Sequence, residues 1–283
     1  MIGMRLGRVL TRGLMYIVLI GGCIVILIPF VWMLSTSLKP ASEVYIYPPA
    51  LFPKVIRWQN YVDVLTGGFQ SIWIYVRNTI LYMCLPVLVL DVLVNAMVGF
   101  AFARVRFRGS QPLFLAALAT MMLPNQVTMI PLFILFARLG WMNTYLPIIV
   151  PAAFGWPYAI FLLRQFFASV PDALDDAARI DGCDIWSIMW RIHFPLAAPA
   201  LGIIGIFSFT GQWNEYLRPL LYLKDIKLWP LGLYLQSLVG SGLRKQWQMV
   251  MVVAVLMCLP PVALFFIAQR RYIQGIVITG VKG

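Results

Sequence analysis

The stretch VPDALDDAARIDG, residues 170–182, concentrates acidic side chains in a chain that is 61% hydrophobic. Five of the ten acids fall within positions 172–184, namely Asp172, Asp175, Asp176, Asp181 and Asp184. Ser169 followed by Asp172 fits a capping box, Pro171 suits a first helical turn, and Gly182 suits a left-handed helix end. The stretch therefore predicts a short polar helix over 170–181, which has to lie outside any apolar layer.

A second helix is predicted directly afterwards, where Asp184 can cap IWSIMWRIHF (185–194) and Pro195 has to end it. One face of the first helix has i, i+3, i+4, i+7 spacing and consists of Leu174, Ala177, Ala178 and Asp181. Charged side chains flank this face at Asp175, Asp176 and Arg179. Small central side chains let another protein approach the backbone closely, so we interpret the face as a docking element. The alternative is a solvated loop whose acids offset nearby arginines.

The rest of the chain is too apolar for a soluble fold, with a mean hydropathy of +0.86 and only 11% charged residues. A segment needs about 20 apolar residues to cross ~30 Å of hydrocarbon. Such windows lie at 14–37, 78–102, 112–136, 145–167, 196–217 and 247–268. Because backbone groups in lipid must be satisfied within each segment, the sequence predicts an all-α polytopic membrane protein. We expect six transmembrane helices in a single domain covering 1–283.

Prolines interrupt several of the predicted spans, among them Pro86 in the second, Pro124 and Pro131 in the third, and Pro147, Pro151 and Pro157 in the fourth. Kinks are expected at these positions. They are either ordinary irregularities of membrane helices or breaks beside a translocation cavity.

Arginines set the predicted orientation, because those within 5–12, 104–108 and 270–271 all abut span ends on the side that holds both termini. That side is assigned as cytoplasmic. The segment 168–195 is then a cytoplasmic loop and 269–283 a cytoplasmic tail, while 38–77 and 218–246 are extracytoplasmic loops. Anionic membrane lipids explain the net charge of +12 better than nucleic acid does.

Several kinds of chemistry have no matching motif in the sequence. A GxxxxGK(S/T) stretch is missing, so the chain cannot hold ATP in a P-loop. Cys23, Cys84, Cys183 and Cys258 form no CxxC pair, so neither a zinc site nor a disulfide framework is indicated. The single histidine, His193, has no partnered serine or ligand cluster and is expected to be structural or to take part in docking. The chain is therefore predicted to be no enzyme, with no cofactor or metal of its own.

Asp91 is the one acid near the middle of a predicted span, where a charge costs about 2.5–3.5 kcal/mol on insertion scales. It should face protein or water. With Asn95 one turn later it either lines a pathway or makes an interhelical hydrogen bond.

The order of residues in the acidic stretch resembles a known signature. DAARIDG at 176–182 is followed by nine residues and then by IHFP at 192–195. This string is similar to the EAA motif of ABC-importer permease subunits, which reads E-A-A, three residues, G, nine residues, I-x-L-P. Asp176 stands where glutamate is usual, and Phe194 stands where leucine is usual. Both departures put particular salt bridges in doubt and leave the docking role in place.

Four further stretches narrow the resemblance to carbohydrate-uptake permeases of the maltose-importer type, specifically the smaller six-span partner. They are RFRG at 106–109, MLPNQVTMIPLF at 122–133, QWNEYLRPL at 212–220 and QRRYIQGIVITGVKG at 269–283. The similarity covers most of 70–283 and only the general layout before that.

The resemblance implies a type I ABC-importer permease fold in the bacterial cytoplasmic (inner) membrane. It also implies a second homologous permease subunit, a cytoplasmic ABC ATPase dimer that holds ATP and Mg, and an extracytoplasmic sugar-binding protein. In the family the EAA loop is a coupling helix seated in a cleft of the ATPase. Carried onto this sequence, coupling is expected at Asp172, Asp175, Asp176, Ala177, Ala178, Arg179, Asp181, Gly182 and Pro195.

Other sites are also implied by the family. Its C-terminal tail reaches the ATPase dimer interface, which points to Gly280, Val281, Lys282 and Gly283. Its outer loop meets the binding protein, which points to Lys224, Lys227, Arg244 and Lys245, unless these side chains only solvate the loop. Candidate pathway residues are Asp91 and Asn95 together with Trp213, Asn214 and Glu215 at the end of the fifth span.

A secondary transporter that uses Asp91 is the main alternative function. It would need ion-coupling residues within the membrane and usually an internal repeat, which the sequence lacks. A membrane-embedded hydrolase fits less well, because no catalytic constellation is present. The sequence does not identify the sugar.

Overall fold

The computed structural model describes residues 2–66, 71–240 and 246–280, with side-chain environments for 12–66, 71–124, 126–240 and 246–269. All regular structure within these ranges is helical, and they contain no strand. The prediction of an all-α fold is therefore confirmed. Contacts divide the chain into two compact units, 1–71 with 237–259 and 72–236 with 260–283.

The first unit begins with a long apolar helix, α1 (Ile2–Ser37), followed by a single turn at Ala41–Val44 and a short helix at Gln59–Thr66. Side chains 12–31 are all exposed, and the Arg12–Ser37 part of the helix has a mean hydropathy of 2.8. Such a surface has to be covered by lipid or by another protein.

The segment after α1 is folded rather than extended. The amide of Asn60 donates to the carbonyls of Ser37 and Lys39, each at 2.8 Å. The Lys39 ammonium donates to the Ala50 carbonyl and lies 4.7 Å from the centre of the Trp32 ring. Burial lowers the pKa of Lys39. The loop predicted at 38–77 is thus partly ordered by its own polar contacts.

The second unit holds most of the helices. Its main elements are α2 (Ile72–Arg104), α3 (Ser110–Met122), α4 (Asn125–Arg138), α5 (Leu146–Ser169), α6 (Asp172–Ile180), α7 (Ile185–Leu196) and α8 (Ala198–Trp213). Short helices follow at Leu217–Tyr222 and Ile226–Leu228. Two helices have residues in both units, Leu231–Gly240 and α9 (Trp247–Gly280).

Four of the described helices are long and apolar enough to cross a membrane, Arg12–Ser37, α2, α5 and Trp247–Gln269. Two further candidates are bent pairs, α3 with Gln126–Arg138 at 102° and α7 with α8 at 76°. The number of crossings is therefore four, or up to six if each bent pair counts as one span. Six spans stays a prediction. The last helix continues to Gly280, well past the predicted end of the sixth span at 268.

Two helices contain a π-helical segment just before a proline. Asn78–Cys84 precedes Pro86 in α2, and Met189–His193 precedes Pro195 in α7. Proline has no N–H to donate, and a wider turn accommodates the missing bond without ending the helix. The prediction that Pro195 ends the second helix is therefore wrong, because helical structure continues to Leu196.

The core of the second unit forms where α2, α5 and α8 meet. Phe100, Leu163, Phe167, Ile188 and Ile204 are among its fully buried side chains. α2 and α5 approach each other closely at Gly99, where a Cβ atom would lie 2.9 Å from the Leu163 Cβ and 3.2 Å from the Arg164 amide nitrogen. A small residue is therefore required at this crossing, as is common between membrane helices.

Gly99→Ala is expected to destabilise the protein by about 1–3 kcal/mol, because the added methyl group overpacks the crossing. The matched control is Gly202→Ala in α8, where nothing lies within 4 Å of a Cβ atom. That change should be neutral or stabilising, since alanine is favoured over glycine in a helix by up to about 1 kcal/mol. The apparent thermal unfolding midpoint of the purified protein measures both. Equal midpoints for the two variants would contradict the close crossing.

Candidate functional site

The acidic segment, residues 172–184, folds as a helix with a defined end. α6 runs from Asp172 to Ile180 and has Pro171 at its N-cap. The Ser169 hydroxyl donates to the Phe166 carbonyl instead of capping α6, so the predicted capping box is wrong.

The end of α6 agrees with the sequence. Gly182 has a φ of +81°, the left-handed conformation that glycine adopts without strain. The Cys183 amide donates to the Ala178 carbonyl at 2.9 Å, and the Gly182 amide donates to Arg179 at 3.1 Å. These two bonds form a Schellman motif, which confirms the predicted stop.

Asp184 caps the next helix as predicted. Its carboxylate accepts from the Ser187 amide at 2.9 Å. The hydrogen bonds from Ser187 lower the pKa of Asp184. The acidic segment is therefore fixed at both of its helix boundaries.

The buried face of α6 is polar at its centre. The Asp175 carboxylate lies 2.6 Å from Nε2 of His193, and their side chains are 4% and 0% exposed. Because a carboxylate can only accept, Nε2 carries the proton. The rings of Phe100 and Phe167 enclose the imidazole, with centroids 5.0 and 5.7 Å away. The helical pattern placed Asp175 at the rim of a docking face. In the structure its side chain instead points from the inner face of α6 into the core of the chain.

Arg104, at the end of α2, connects the buried face of α6 to the membrane-spanning helices α2 and α5. Its guanidinium donates to the Phe167 carbonyl at 2.6 Å and also to the Val170 carbonyl and the Asp172 carboxylate. Its Nη1 lies 3.7 Å from the second oxygen of Asp175. We call Arg104, Asp175 and His193 the polar anchor. They link α2, α6 and α7 by ion pairs and hydrogen bonds.

The opposite face of α6 is free within the described chain. A step of about 100° per residue places Ala177 and Ile180 across the helix from Asp175 and Ala178. Ala178 is buried, whereas Ile180 is 86% and Leu174 43% exposed. The predicted face therefore needs a correction: Ala178 faces the core, and the outward surface includes Ile180, which the pattern missed.

The remaining coupling candidates are on the surface. Asp176 and Arg179 form an exposed ion pair at 3.0 Å. Asp181, Gly182 and Pro195 are exposed as well.

A cavity of about 640 Å³ lies among α2, α4, α5 and α8 in the second unit. Of the candidate pathway residues, Asp91 and Glu215 line it. The Asp91 carboxylate accepts from the Ser208 hydroxyl at 2.6 Å, so an interhelical hydrogen bond and a place on the cavity wall coexist.

The three other pathway candidates are outside the cavity lining. Asn95 is fully buried and accepts from the Trp156 amide at 2.6 Å, where α5 is interrupted. Trp213 is 1% exposed. Asn214 is exposed and donates to the Thr210 carbonyl. Asn95 thus makes a structural hydrogen bond between α2 and α5 and does not line the cavity.

The cavity wall also holds a polar group that sequence reasoning missed. Nε of Arg218 donates to Glu215 at 2.7 Å, and Nη2 donates to the Gln212 side-chain oxygen at 3.0 Å. Glu215 in turn accepts from the Leu217 amide at 2.9 Å. Gln212, Glu215 and Arg218 all belong to the stretch QWNEYLRPL, which the sequence had already singled out. Which of its side chains face the cavity is seen only in the folded chain.

Residues 223–231, which we call the outer ledge after the extracytoplasmic side predicted for them, are held by polar side chains of α2 and of the loop between α4 and α5. The Asn143 side chain accepts from the amides of Lys224 and Asp225, both at 2.9 Å. Asn78 donates to the carbonyls of Lys227 and Trp229 at 2.7 and 3.0 Å. Lys224 and Lys227 are exposed on this ordered backbone.

Some candidates fall at the limit of the described chain. Arg244, Lys245, Val281, Lys282 and Gly283 lie outside the described residues. Gly280 is the last residue of α9.

The chain is similar to known transport proteins over most of its length. A family model described as binding-protein-dependent transport system inner membrane component matches residues 95–278. The arabinooligosaccharides transport system permease protein AraQ of Bacillus subtilis (strain 168) is 34% identical over 259 residues, which cover 91% of this chain and 91% of that protein. The sn-glycerol-3-phosphate transport system permease protein UgpE of Yersinia enterocolitica is 30% identical over 268 residues, covering 93% and 94%.

A solved structure has the same fold. It is the crystal structure of a bacterial ABC transporter involved in the import of the acidic polysaccharide alginate, and a chain of it superposes with a TM-score of 0.81 at 25% identity. The superposition covers 91% of this chain and 95% of that one.

Proposed function

The chain belongs to the binding-protein-dependent transport system inner membrane component family, and from that premise we propose that it forms half of an alternating-access pathway for a carbohydrate. It is an ABC importer permease, a non-catalytic membrane subunit. In our proposal a separate cytoplasmic ATPase dimer supplies the energy, and the acidic segment transmits its movement to the spans.

The observation that carries the proposal is the two-sided construction of α6. One side is fixed to α2 and α7 through the polar anchor. On the other side, the side chains of Ala177 and Ile180 are exposed. Leu174 and Ile180, 43% and 86% exposed, lie three positions either side of Ala177 and form one apolar stripe with it. A contiguous exposed apolar surface of this kind is typical of a site that another protein covers. A push on the outer side would reach the spans, because the inner side cannot slide freely.

The remaining partners follow from the same proposal. A second homologous permease supplies the other half of the pathway, and an extracytoplasmic sugar-binding protein delivers the substrate to the outer ledge. ATP and Mg are held by the ATPase and not by this chain. Both termini lie in the cytoplasm of a bacterial cell, and Gly280 to Gly283 contact the ATPase. The relatives carry names that refer to arabinooligosaccharides and sn-glycerol 3-phosphate, which supports a sugar or sugar derivative.

Affinity purification of the tagged chain with its genomic neighbours tests the proposal. We expect an ABC ATPase at two copies per permease pair and, in proteoliposomes, ATP hydrolysis that rises when the loaded binding protein is added. A chain that transports without any ATPase, driven by an ion gradient and lost in Asp91→Asn, would support the secondary transporter instead.

The outer ledge gives a separate prediction. Changing Lys224 and Lys227 together to glutamate should raise the binding-protein concentration for half-maximal ATPase stimulation several-fold, because exposed charges mainly affect association. The effect should shrink as salt is raised from 50 to 500 mM, because salt screens surface charges. Lys54→Glu with Arg57→Glu changes the net charge by the same amount at residues that are not part of the ledge. If both pairs had the same effect, the ledge would not be the docking site.

A further inference from the structure

The cavity in the second unit contains the groups expected of a site for an uncharged sugar. We infer that this permease itself contacts the transported carbohydrate through Asp91, Ser208 and Gln212, and that the cavity selects uncharged saccharides over anionic ones. This inference rests on the proposed function and adds the substrate class to it.

The hydrogen-bonding groups of the wall suit hydroxyl groups. Arg218 can only donate, so the oxygen of the Gln212 amide faces Arg218 and its nitrogen remains a donor. One oxygen of Asp91 accepts from Ser208, and the carboxylate has a second oxygen with acceptor capacity. A sugar hydroxyl both donates and accepts, so it can satisfy an amide donor and a carboxylate acceptor on one wall.

Aromatic and apolar groups complete the wall. Trp156, Tyr222, Phe136 and Phe207 belong to the lining. Trp156 is 36% exposed, and its indole offers a flat surface for the C–H face of a pyranose or furanose ring. A volume of about 640 Å³ lies within the range of small-molecule sites.

The charges of the wall disfavour anions. Its ionisable side chains are two carboxylates, Asp91 and Glu215, and one guanidinium, Arg218. Glu215 pairs with Arg218 at 2.7 Å, so the cation is already compensated. A phosphate or a uronate would therefore find no uncompensated cation among the described lining residues, and burying a charge without a partner is costly.

Saturation-transfer-difference NMR on the complete importer in nanodiscs tests this site without the binding protein. The uncharged probes are arabinotriose, maltotriose and diacetylchitobiose, and the anionic probes are trimannuronate and sn-glycerol 3-phosphate. We expect transfer to at least one uncharged probe and none to the anions. Gln212→Ala should reduce this transfer at least threefold, whereas Gln165→Ala, an exposed position on α5 outside the lining, should not. Glu215→Gln leaves Arg218 uncompensated and should create transfer to trimannuronate.

Two results would overturn the inference. One is stronger transfer to an anionic probe than to every uncharged one in the wild-type importer. The other is a lack of transfer through this site to uncharged probes, shown either by no transfer at all or by transfer that Gln212→Ala leaves unchanged. ATPase stimulation by the loaded binding protein, measured on the same nanodiscs, tests the proposed function independently. An importer that is stimulated but shows either result refutes the sugar site alone.

Discussion

Asp175→Leu is expected to cost the permease about 3–5 kcal/mol of stability, because removing one partner of a buried pair leaves the other without compensation. His193 and Arg104 would lose their common carboxylate inside a core where the imidazole is fully buried. Most of the variant should fail to accumulate as folded protein. The yield and the apparent unfolding midpoint of the purified complex measure the loss.

The neighbouring acid provides the control. Asp176 is 67% exposed, and among the described residues its ion pair is with Arg179 on the surface, an interaction usually worth less than about 1 kcal/mol. Asp176→Leu should therefore leave the unfolding midpoint almost unchanged while it weakens coupling to the ATPase. Two adjacent aspartates would then separate folding from docking.

Rescue by conservative variants distinguishes the proposed contact from a general loss of packing. His193→Gln places an amide donor near the position of Nε2 and should retain most of the stability, whereas His193→Leu should not. Changing both Asp175 and His193 to leucine should cost less than the sum of the two single changes, because no unpaired group is left between them. Additive losses in this cycle would show that the two side chains are not coupled.

The sequence was informative wherever one residue type has one local consequence. Gly182 and Asp184 were placed correctly, because a left-handed helix end and an N-cap depend on neighbouring backbone groups alone. The all-α fold also followed, since long apolar runs have few alternatives in lipid.

The buried polar contacts of the second unit could not be predicted from local sequence patterns. Arg104 looked like a charge that sets membrane orientation, yet it is 5% exposed and binds the carbonyls at the end of α5. Asp175 and His193 are 18 positions apart and meet only because α7 turns back under α6. Helical spacing placed Leu174, Ala177, Ala178 and Asp181 on one face of α6. It could not show that the core covers Ala178. Ion pairs between distant segments are fixed by tertiary packing, which a pattern within one helix does not contain.

The capping box failed for a related reason. Ser169 has a closer acceptor in the Phe166 carbonyl at the end of α5, and Pro171 has already set the backbone for the start of α6. Local hydroxyl bonds of this kind compete with caps.

Ala177→Trp is expected to abolish coupling while the chain still folds. Ala177 is exposed on α6, so an indole there would extend away from the core of the described chain. If an ATPase cleft seats this helix, the same indole would have to enter a socket shaped for a methyl group, and overpacking at the centre of an interface is poorly tolerated. We expect sugar uptake and stimulated ATP hydrolysis in proteoliposomes to fall at least tenfold, with an unchanged unfolding midpoint of the permease itself.

The choice of position makes this result interpretable. Ala178→Trp would fail for a different reason, because Ala178 is 6% exposed and faces the core. A substitution at Gly182 would combine docking with backbone strain, since φ is +81° there. Ala168→Trp, at an exposed alanine near the end of α5, adds the same side chain outside α6 and should retain near wild-type activity. Wild-type stimulation from Ala177→Trp would mean that this face of α6 is not seated in the ATPase, and the exposed Ile180 would then require another partner.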